Sequence, residues 1–511
     1  MDYPGQDYYR LFAPYFELQE RRNIFSKYGI EGRISERLVQ SIWYDQRLKS
    51  KKLKLDDGRK VTVLSPGKWN TEEGPDFKDA QIIVKGNKII KGDVEVHLLA
   101  SDWIAHKHQE SALYDSVILH VCLWNDLPEG KQLLNSSGQS FPQLTLFPAL
   151  DGELNELNSL IEPQDYPYSA PSTIGACHKI FTHLTTEQIA KLLDWAGEAR
   201  MGEKIGRMAV QLEHENYNQL LYEGIMEALG YKNNKEQFRR LAQRANLNLM
   251  AALVKEHERP QSLLLIQSWL LGLGGFLCHD NLCSQGKAES INYIDKLTVL
   301  WQSFEQKFKV ESVRQNFWAK SMRPANLPER RLVGMAHILA STEGLDLVGY
   351  FEKTMEKGID AKEDKNFLHL NREIKDKLMA PLQDFWDMYY KPGGALLQQQ
   401  MRTIGPDRAM VILVNILIPF FLLLNRNRRK RSIELFWWRF YRWYPKLPQN
   451  SIYRLMTFRL FGNKEEEKKL VTSAQKQFGL MQIFNDFCSQ MMGNCTECNF
   501  KRALEQKKDC L

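Results

Sequence analysis

A chain of 511 residues is too long for a single compact core, since domains settle at about 100–200 residues, so two or three domains are expected. Hydrophobic residues make up 43% and charged residues 26%, a balance that excludes a disordered or low-complexity chain. The net charge of +7 is spread too thinly to favour a polyanionic partner strongly, and eight scattered cysteines behind a start with no leader pattern point to the reducing cytoplasm.

Residues 1–31 are polar and aromatic with little periodicity and read as an extension that packs on the body. Ile34 to Leu48 then sets Ile34, Leu38, Ile42 and Trp43 at helical spacing. Asp56-Asp57-Gly58 is a tight-turn signal between Lys52–Leu55 and Lys60–Leu64, which alternate as strands do. After the loop PGKWNTEEGPDF, Ala80–Val84 reads as a strand, Lys85–Lys88 as a turn and Ile89–Leu99 as a second strand. Ser101 is placed to cap a helix from Asp102 to about Ser111, and Ser116–Trp124 is a continuous apolar strand of the buried kind. A further hairpin is expected across Gln132–Phe147. The order over residues 32–160 is therefore helix, antiparallel strands, helix, strand, and the fold class is α+β.

The proline-rich stretch Glu162–Ser172 marks a boundary. Beyond it, apolar residues recur at three and four over Thr185–Leu229, Lys235–Leu247, Gln261–Cys278, Ile291–Lys309, Pro328–Thr342, Leu345–Lys357 and Glu373–Leu378, which predicts a large all-α domain over residues 173–480. Residues 481–511 form a cysteine-containing closing segment. Ala409–Leu424 is intensely apolar and precedes the basic run NRNRRKR. It is interrupted by Asn415 and Pro419 and falls short of the ~20 residues a span requires, so it reads as a buried helix and no membrane partner is expected.

Several phrases carry a resemblance: PGKWNTEEGPDFKDA, GDVEVH, SDWIAHKH and VILHV, then ALGYKNNKEQFRRLA, MRPANLPERRL, IGPDRAMVILVNILIP and the closing QFGLMQIFNDFC. Together they resemble a bacterial domain of unknown function, number 2851, from about residue 34 to 500. The resemblance implies that the apolar run belongs to a soluble helical domain, and it implies no activity.

Chemistry concentrates between Pro66 and Val121, where Asp76, Asp93, Glu95, His97, Asp102, His106, His108 and His120 lie close in sequence. The order of elements resembles the P-D…E-x-K nuclease superfamily, in which an aspartate and a glutamate hold Mg²⁺ or Mn²⁺ and a lysine positions or deprotonates the nucleophile. Here Pro75-Asp76 is followed by Glu95-Val96-His97, with Glu36 on the preceding helix. Glu95 and His97, two apart on a strand, share a face, and His97 stands where that pattern has lysine. Asp76, Glu95, His97 and Glu36 are thus the candidate catalytic residues.

A second reading is a transition-metal site, with Asp76, Glu95, His106, His108 and His120 as candidate ligands for Zn²⁺, Mn²⁺ or Fe²⁺. A third is a polar network that fixes a hairpin, with Asp102 as an N-cap, Trp103 as a core anchor and Asp93 in turn chemistry beside Gly92.

Cys488, Cys495, Cys498 and Cys510 could hold zinc or an iron–sulfur cluster, while Cys278-His279 with Cys283 is a weaker set. FWWRFYRWY (Phe436–Tyr444) interleaves rings with Arg439 and Arg442, which suits stacking on single-stranded nucleic acid and suits better a packed helix covered by its arginines. Arg323, Asn326, Arg330 and Arg331 form either a basic site or a helix start organised by Pro328. The functional expectation is a divalent-metal nuclease or phosphodiesterase. The alternatives are a non-catalytic nucleic-acid-binding or scaffold protein with a decayed site, and a transition-metal hydrolase acting on a small molecule.

Overall fold

A computed structural model describes residues 5–13, 34–70, 74–84, 89–161, 166, 174–255, 258–277, 288–314, 317–319, 323–359, 364–379, 381, 385–462, 465, 469–488 and 498–507. The protein is α+β, an N-terminal curled sheet followed by a large helical region. Two compact units emerge, one of Met1–Arg200 with Gln449–Leu511 and one of Met201–Pro448. The helical domain expected over 173–480 is thus shared between units, because the division after Arg200 falls inside the helix Thr186–Leu212 and the chain returns to the first unit after Pro448.

In the first unit the sheet comprises β1 (Val61–Ser65), β2 (Lys68–Trp69), β3 (Phe77–Val84), β4 (Ile89–Leu99), β5 (Val117–Trp124) and β6 (Gln143–Thr145). The order is β1-β3-β4-β5-β6, with β2 also paired to β3. β1, β3 and β4 are antiparallel, whereas β4, β5 and β6 run parallel. The helix Glu36–Tyr44 begins where the Ser35 side chain accepts from the Leu38 N–H, which satisfies one of the open donors of the first turn. Its buried Leu38, Val39, Ile42 and Trp43 join Val94, Val96, Leu119, Val121 and Leu123 in the main core. Alternation along the strands sends Glu95, His97 and His120 to the opposite face, where a smaller cluster holds Trp103, Val117 and Leu133.

Three local expectations change. Leu55 and Arg59 close the Asp56-Asp57-Gly58 turn, Lys54 bridges Lys60 antiparallel and the Val61 N–H donates to the Leu53 carbonyl, but Ser50–Lys52 is a short 3-10 turn and the strand partner of β1 is β3. The helix after Ser101 is only Asp102–Ala105, since Lys107 turns left-handed; the Ser101 hydroxyl donates to Asp126 and the Asp102 carboxylate accepts from the Leu99 N–H, so neither acts as the expected N-cap. Gln132–Phe147 contains a tight turn at Asn135–Gln139 closed by a single antiparallel bridge between Leu134 and Ser140, after which β6 lies parallel to β5. The turn expected at Lys85–Lys88 lies outside the described residues.

Part of the N-terminal extension is ordered against the C-terminal segment. In the helix Gln6–Leu11 the Tyr8 hydroxyl donates to Asp486 at 2.8 Å, and Phe12 packs on Phe487 and Phe500. Cys488 and Cys498 are described, while Cys495 and Cys510 of the expected cysteine site lie outside the described residues, as do Cys278, His279 and Cys283.

In the second unit, the apolar run lies in a helix Pro406–Asn427 of 22 residues, long and apolar enough to cross a membrane by length and composition. Leu413, Val414, Leu417 and Phe420–Leu424 are all buried within the protein. In the next helix, Arg431–Trp443, the rings of Phe436, Trp437, Trp438, Phe440 and Tyr441 are buried, and Trp437 stacks on Phe421. Those rings therefore form core, and Arg439 and Arg442 are exposed, the Arg439 guanidinium lying 5.7 Å from the centroid of the buried Phe367 ring.

Candidate metal centre

The site begins where β3 stops short. β3 starts at Phe77, opposite Val94, so β4 continues past it with the Val96 N–H unpaired by strand backbone. The Asp76 carboxylate fills that place: Oδ2 accepts from the Val96 N–H at 3.0 Å, and Oδ1 accepts from Gln40 Nε2 at 2.8 Å. The Asp76 N–H in turn donates to Glu95 Oε2 at 3.0 Å. Gln40 is itself oriented by the buried Arg37, whose Nη1 donates to Gln40 Oε1. Asp76 is thus a bracket that aims Glu95, with both of its own oxygens engaged.

The other oxygen of Glu95 faces the histidines. Oε1 lies 3.1 Å from His108 Nε2 and 3.5 Å from His97 Nε2. His97 Nε2 lies 3.2 Å from His108 Nε2 and 3.2 Å from His106 Nδ1. His106 and His108 converge although they are two apart, because Lys107 between them is left-handed, with φ 60° and ψ 31°. The buried ring of Trp103 stands edge-on to His108 and to His120, and Tyr114 lies against His108 at 3.8 Å between centroids.

Hydrogen bonding assigns the protons behind His97. The Asp56 carboxylate can only accept, so Gln143 Nε2 donates to it at 2.6 Å and turns its own Oε1 toward His120. His120 Nδ1 therefore donates to Gln143 Oε1 at 3.1 Å, leaving Nε2 to accept from His97 Nδ1 at 2.9 Å. Neutral His97 is left with a bare lone pair on Nε2, the atom that faces His106, His108 and Glu95 at once. One lone pair can accept from only one of these neighbours.

The strand register makes this relay possible, since Glu95 pairs with His120 across β4 and β5, and His120 with Gln143 across β5 and β6. Parallel pairing sets all three side chains on one face.

Burial keeps the imidazoles neutral. It pushes His97 well below its ordinary range, with His120, His106 and His108 adding to the effect, and pushes His108 and His120 down to about 4. Burial also pushes the Glu95 carboxyl up to about 8, against the Asp76 N–H and Lys78, which favour its anion. Burial raises Glu36 and Asp76 well above the usual carboxylate range, with Asp76, Asp102 and Glu95 adding to the effect at Glu36 and Glu95 adding to it at Asp76.

His97, His106 and His108 form a group that could hold a metal ion, since their ligand atoms lie within 4.8 Å of one another. Glu95 Oε1 stands beside two of them, and its separations from His97 and His108, with those of His97 from His106 and His108, span 3.1–3.5 Å, close to the edge of about 3.3–3.4 Å between tetrahedral ligands at about 2.0–2.1 Å. The polar atoms of His120 and Asp76, expected as ligands, are engaged by neighbouring groups, and His97 Nε2, expected in the role of a lysine, is the atom on which His106, His108 and Glu95 converge. Asp93, expected in turn chemistry, lies instead within β4, where it is held by Lys78 at 2.9 Å and by Ser116 at 2.6 Å beside a bulge in β3. Gln40, Gln143 and Asp56 were not among the expected residues, because glutamines and a hairpin aspartate carry no signal until the strand register is known.

Residues 36–450 match the family described as Protein of unknown function (DUF2851). The chain belongs to this family. No curated protein and no solved structure matches it.

The buried carboxyl gives this DUF2851 protein a defined pH response when it is stripped of metal. Below pH about 6.5 the depressed histidines and the raised carboxyls oppose each other, since unfolding releases protons from Glu95 and takes them up on His108 and His120. Above pH about 7.5 the histidines are neutral in both states, while the folded state still holds part of the Glu95 proton. Stability of the metal-free protein is therefore expected to fall between pH about 7.5 and 8.5, with Glu95 contributing a slope below about 1.4 kcal/mol per pH unit. Urea unfolding at the two pH values in chelator measures it, and a flat or rising stability contradicts the assignment.

Proposed function

We propose that this protein is a divalent-metal-dependent hydrolase, with Glu95, His97, His106 and His108 holding the ion and nucleic-acid phosphodiesters as the substrate class. The observation that carries the reading is the approach of three polar groups to the single lone pair of His97 Nε2. Three imidazoles with one carboxylate favour Zn²⁺, Mn²⁺ or Fe²⁺ over Mg²⁺, which prefers oxygen ligands and keeps its waters. Such an ion supplies a Lewis acid for a phosphoryl oxygen and a water of lowered pKa.

The residues around it have separate tasks in this reading. Asp76 and Gln40 hold Glu95 in place, while His120, Gln143 and Asp56 keep the His97 lone pair directed inward. His106 is exposed, whereas His97 and Glu95 are 1% and 5% exposed, so a substrate approaches from the His106 side. Glu36, half-buried and holding its proton, is the candidate donor to a leaving oxygen. The gathering of Glu36, Asp76 and Glu95 supports phosphodiesters, because carboxylates beside an ion also suit a second divalent cation.

The enclosure of the ligands favours a second reading, hydrolysis of a small molecule. An assay of Zn²⁺- and Mn²⁺-loaded protein on single- and double-stranded DNA, on RNA and on bis(4-nitrophenyl) phosphate separates the two. Cleavage of the polymers, lost on Glu95→Ala, is expected. Turnover of the small diester alone favours the second reading, and no turnover by loaded wild-type protein contradicts both.

A further inference from the structure

We propose that the second compact unit carries a binding site for a phosphate group, built on Arg331, Arg408 and Tyr231. These residues come from three separate stretches that carry the family resemblance, ALGYKNNKEQFRRLA, MRPANLPERRL and IGPDRAMVILVNILIP, and the fold brings them to one place. The Arg408 guanidinium lies 3.4 Å from the centroid of the Tyr231 ring, and that of Arg331 lies 5.1 Å from the same centroid. Tyr231 adopts a left-handed φ of 52°, a conformation that a bulky side chain rarely holds without support.

The protein gives these cations only neutral partners. Arg331 donates to the Thr403 carbonyl, to the Tyr231 hydroxyl at 2.8 Å and to Asn326 Oδ1 at 2.7 Å. Arg408 donates through Nη1 to the Ala228 carbonyl at 3.0 Å. Among the described residues no carboxylate forms an ion pair with either arginine. Arg331 is 5% exposed and its Nε has no partner; the hydroxyl of the neighbouring Thr403, 1% exposed, has none either. Buried charges are ordinarily paired, so two guanidiniums around one phenol leave a charge uncompensated.

Their positions in the helices sharpen the point. Arg331 lies in the first turn of the helix Pro328–Ala340, and Arg408 in the first turn of the helix that begins at Pro406. Neither start has a side-chain cap, since Leu327 and Gly405 occupy the cap positions. The start of a helix is its positive end and favours anions over cations. Burial and the neighbouring Arg408 and Arg330 accordingly press the Arg331 guanidinium down to about 10, against the pull of Tyr231.

Arg330, one residue earlier, is consumed differently: it donates to the carbonyls of Trp386, Tyr389 and Met401 and pins that loop. Arg408 is half-buried, and among the described residues only its Nη1 is bonded to protein, so it is the open side of the site. A phosphate group offers several acceptor oxygens to planar guanidinium forks and to open helix starts, and it supplies the missing negative charge.

The test uses the full-length protein and inorganic phosphate as the probe. Thermal unfolding is followed in sodium phosphate and in sodium chloride at matched ionic strength and pH, for wild type, Arg408→Gln and Arg408→Lys. Phosphate is expected to raise the wild-type midpoint by on the order of a few degrees above chloride, with the increment abolished in Arg408→Gln and partly kept in Arg408→Lys. Titration calorimetry is expected to show at least a tenfold loss of phosphate affinity in Arg408→Gln. A mononucleotide that binds more tightly than inorganic phosphate assigns the group to a larger ligand, and equal binding assigns it to the free anion; both support the site. Equal midpoints in phosphate and chloride for wild type, or an increment that survives Arg408→Gln, overturn it.

Discussion

Replacing His97 by alanine is expected to reduce metal affinity by on the order of a thousandfold, beyond the roughly 10–100-fold that an outer hydrogen-bond partner is worth. The reason is positional. His97 Nε2 is the atom within 3.5 Å of all three other ligand atoms, so its loss removes the point on which the set converges. Gln143→Leu tests the relay behind it: His120 loses the acceptor that assigns its tautomer, and the affinity loss is expected to stay within the 10–100-fold range. Competition with a chromogenic chelator measures both variants. If His97→Ala binds as tightly as wild type, His97 is not a ligand; if Gln143→Leu matches His97→Ala, the distinction between ligand and support fails.

Trp103→Ala carries the largest expected loss of stability, about 3–5 kcal/mol. The indole is fully buried, packs against Phe141 at 4.5 Å and stands edge-on to His108 and His120, and its Nε1 donates to the Leu134 carbonyl at 3.0 Å. Alanine leaves a cavity directly under two of the histidines and a carbonyl without its donor. Urea unfolding is expected to show a lower midpoint with an unchanged slope. A loss below about 1 kcal/mol would mean that the small cluster opposite the main core repacks freely, and that the histidines are not held by it.

Much of the sheet was legible because strands announce themselves by period. Ile89–Leu99 emerges with its expected bounds, and alternation correctly put Glu95 and His97 on one face. His120 was named with Glu95 in one candidate ligand set, and the parallel register pairs the two. What could not be read was direction and turn geometry. The left-handed Lys107 has no glycine to announce it, yet it alone lets His106 and His108, two apart, meet the same atom.

Aspartate 76 shows the converse limit. A Pro-Asp beside a strand reads as a ligand in sequence, and only the early end of β3 reveals that both of its oxygens are taken by Gln40 and the Val96 N–H. The aromatic and arginine-rich stretch from Phe436 to Tyr444 was similarly ambiguous, because a helix that buries its rings and one that displays them share the same letters. Arg330 and Arg331 were read as either site or helix start, and the fold divides them: Arg330 anchors a loop through the carbonyls of Trp386 and Tyr389, and Arg331 donates to Tyr231 and Asn326.

The most direct test of the metal centre is elemental analysis of the purified full-length protein, with and without prior exposure to chelator and reconstitution with Zn²⁺ or Mn²⁺. The predicted result is one transition-metal ion per chain that is lost from Glu95→Ala and His97→Ala alike. Absence of any stoichiometric metal from wild-type protein after reconstitution, or retention of the full complement by both variants, would contradict it.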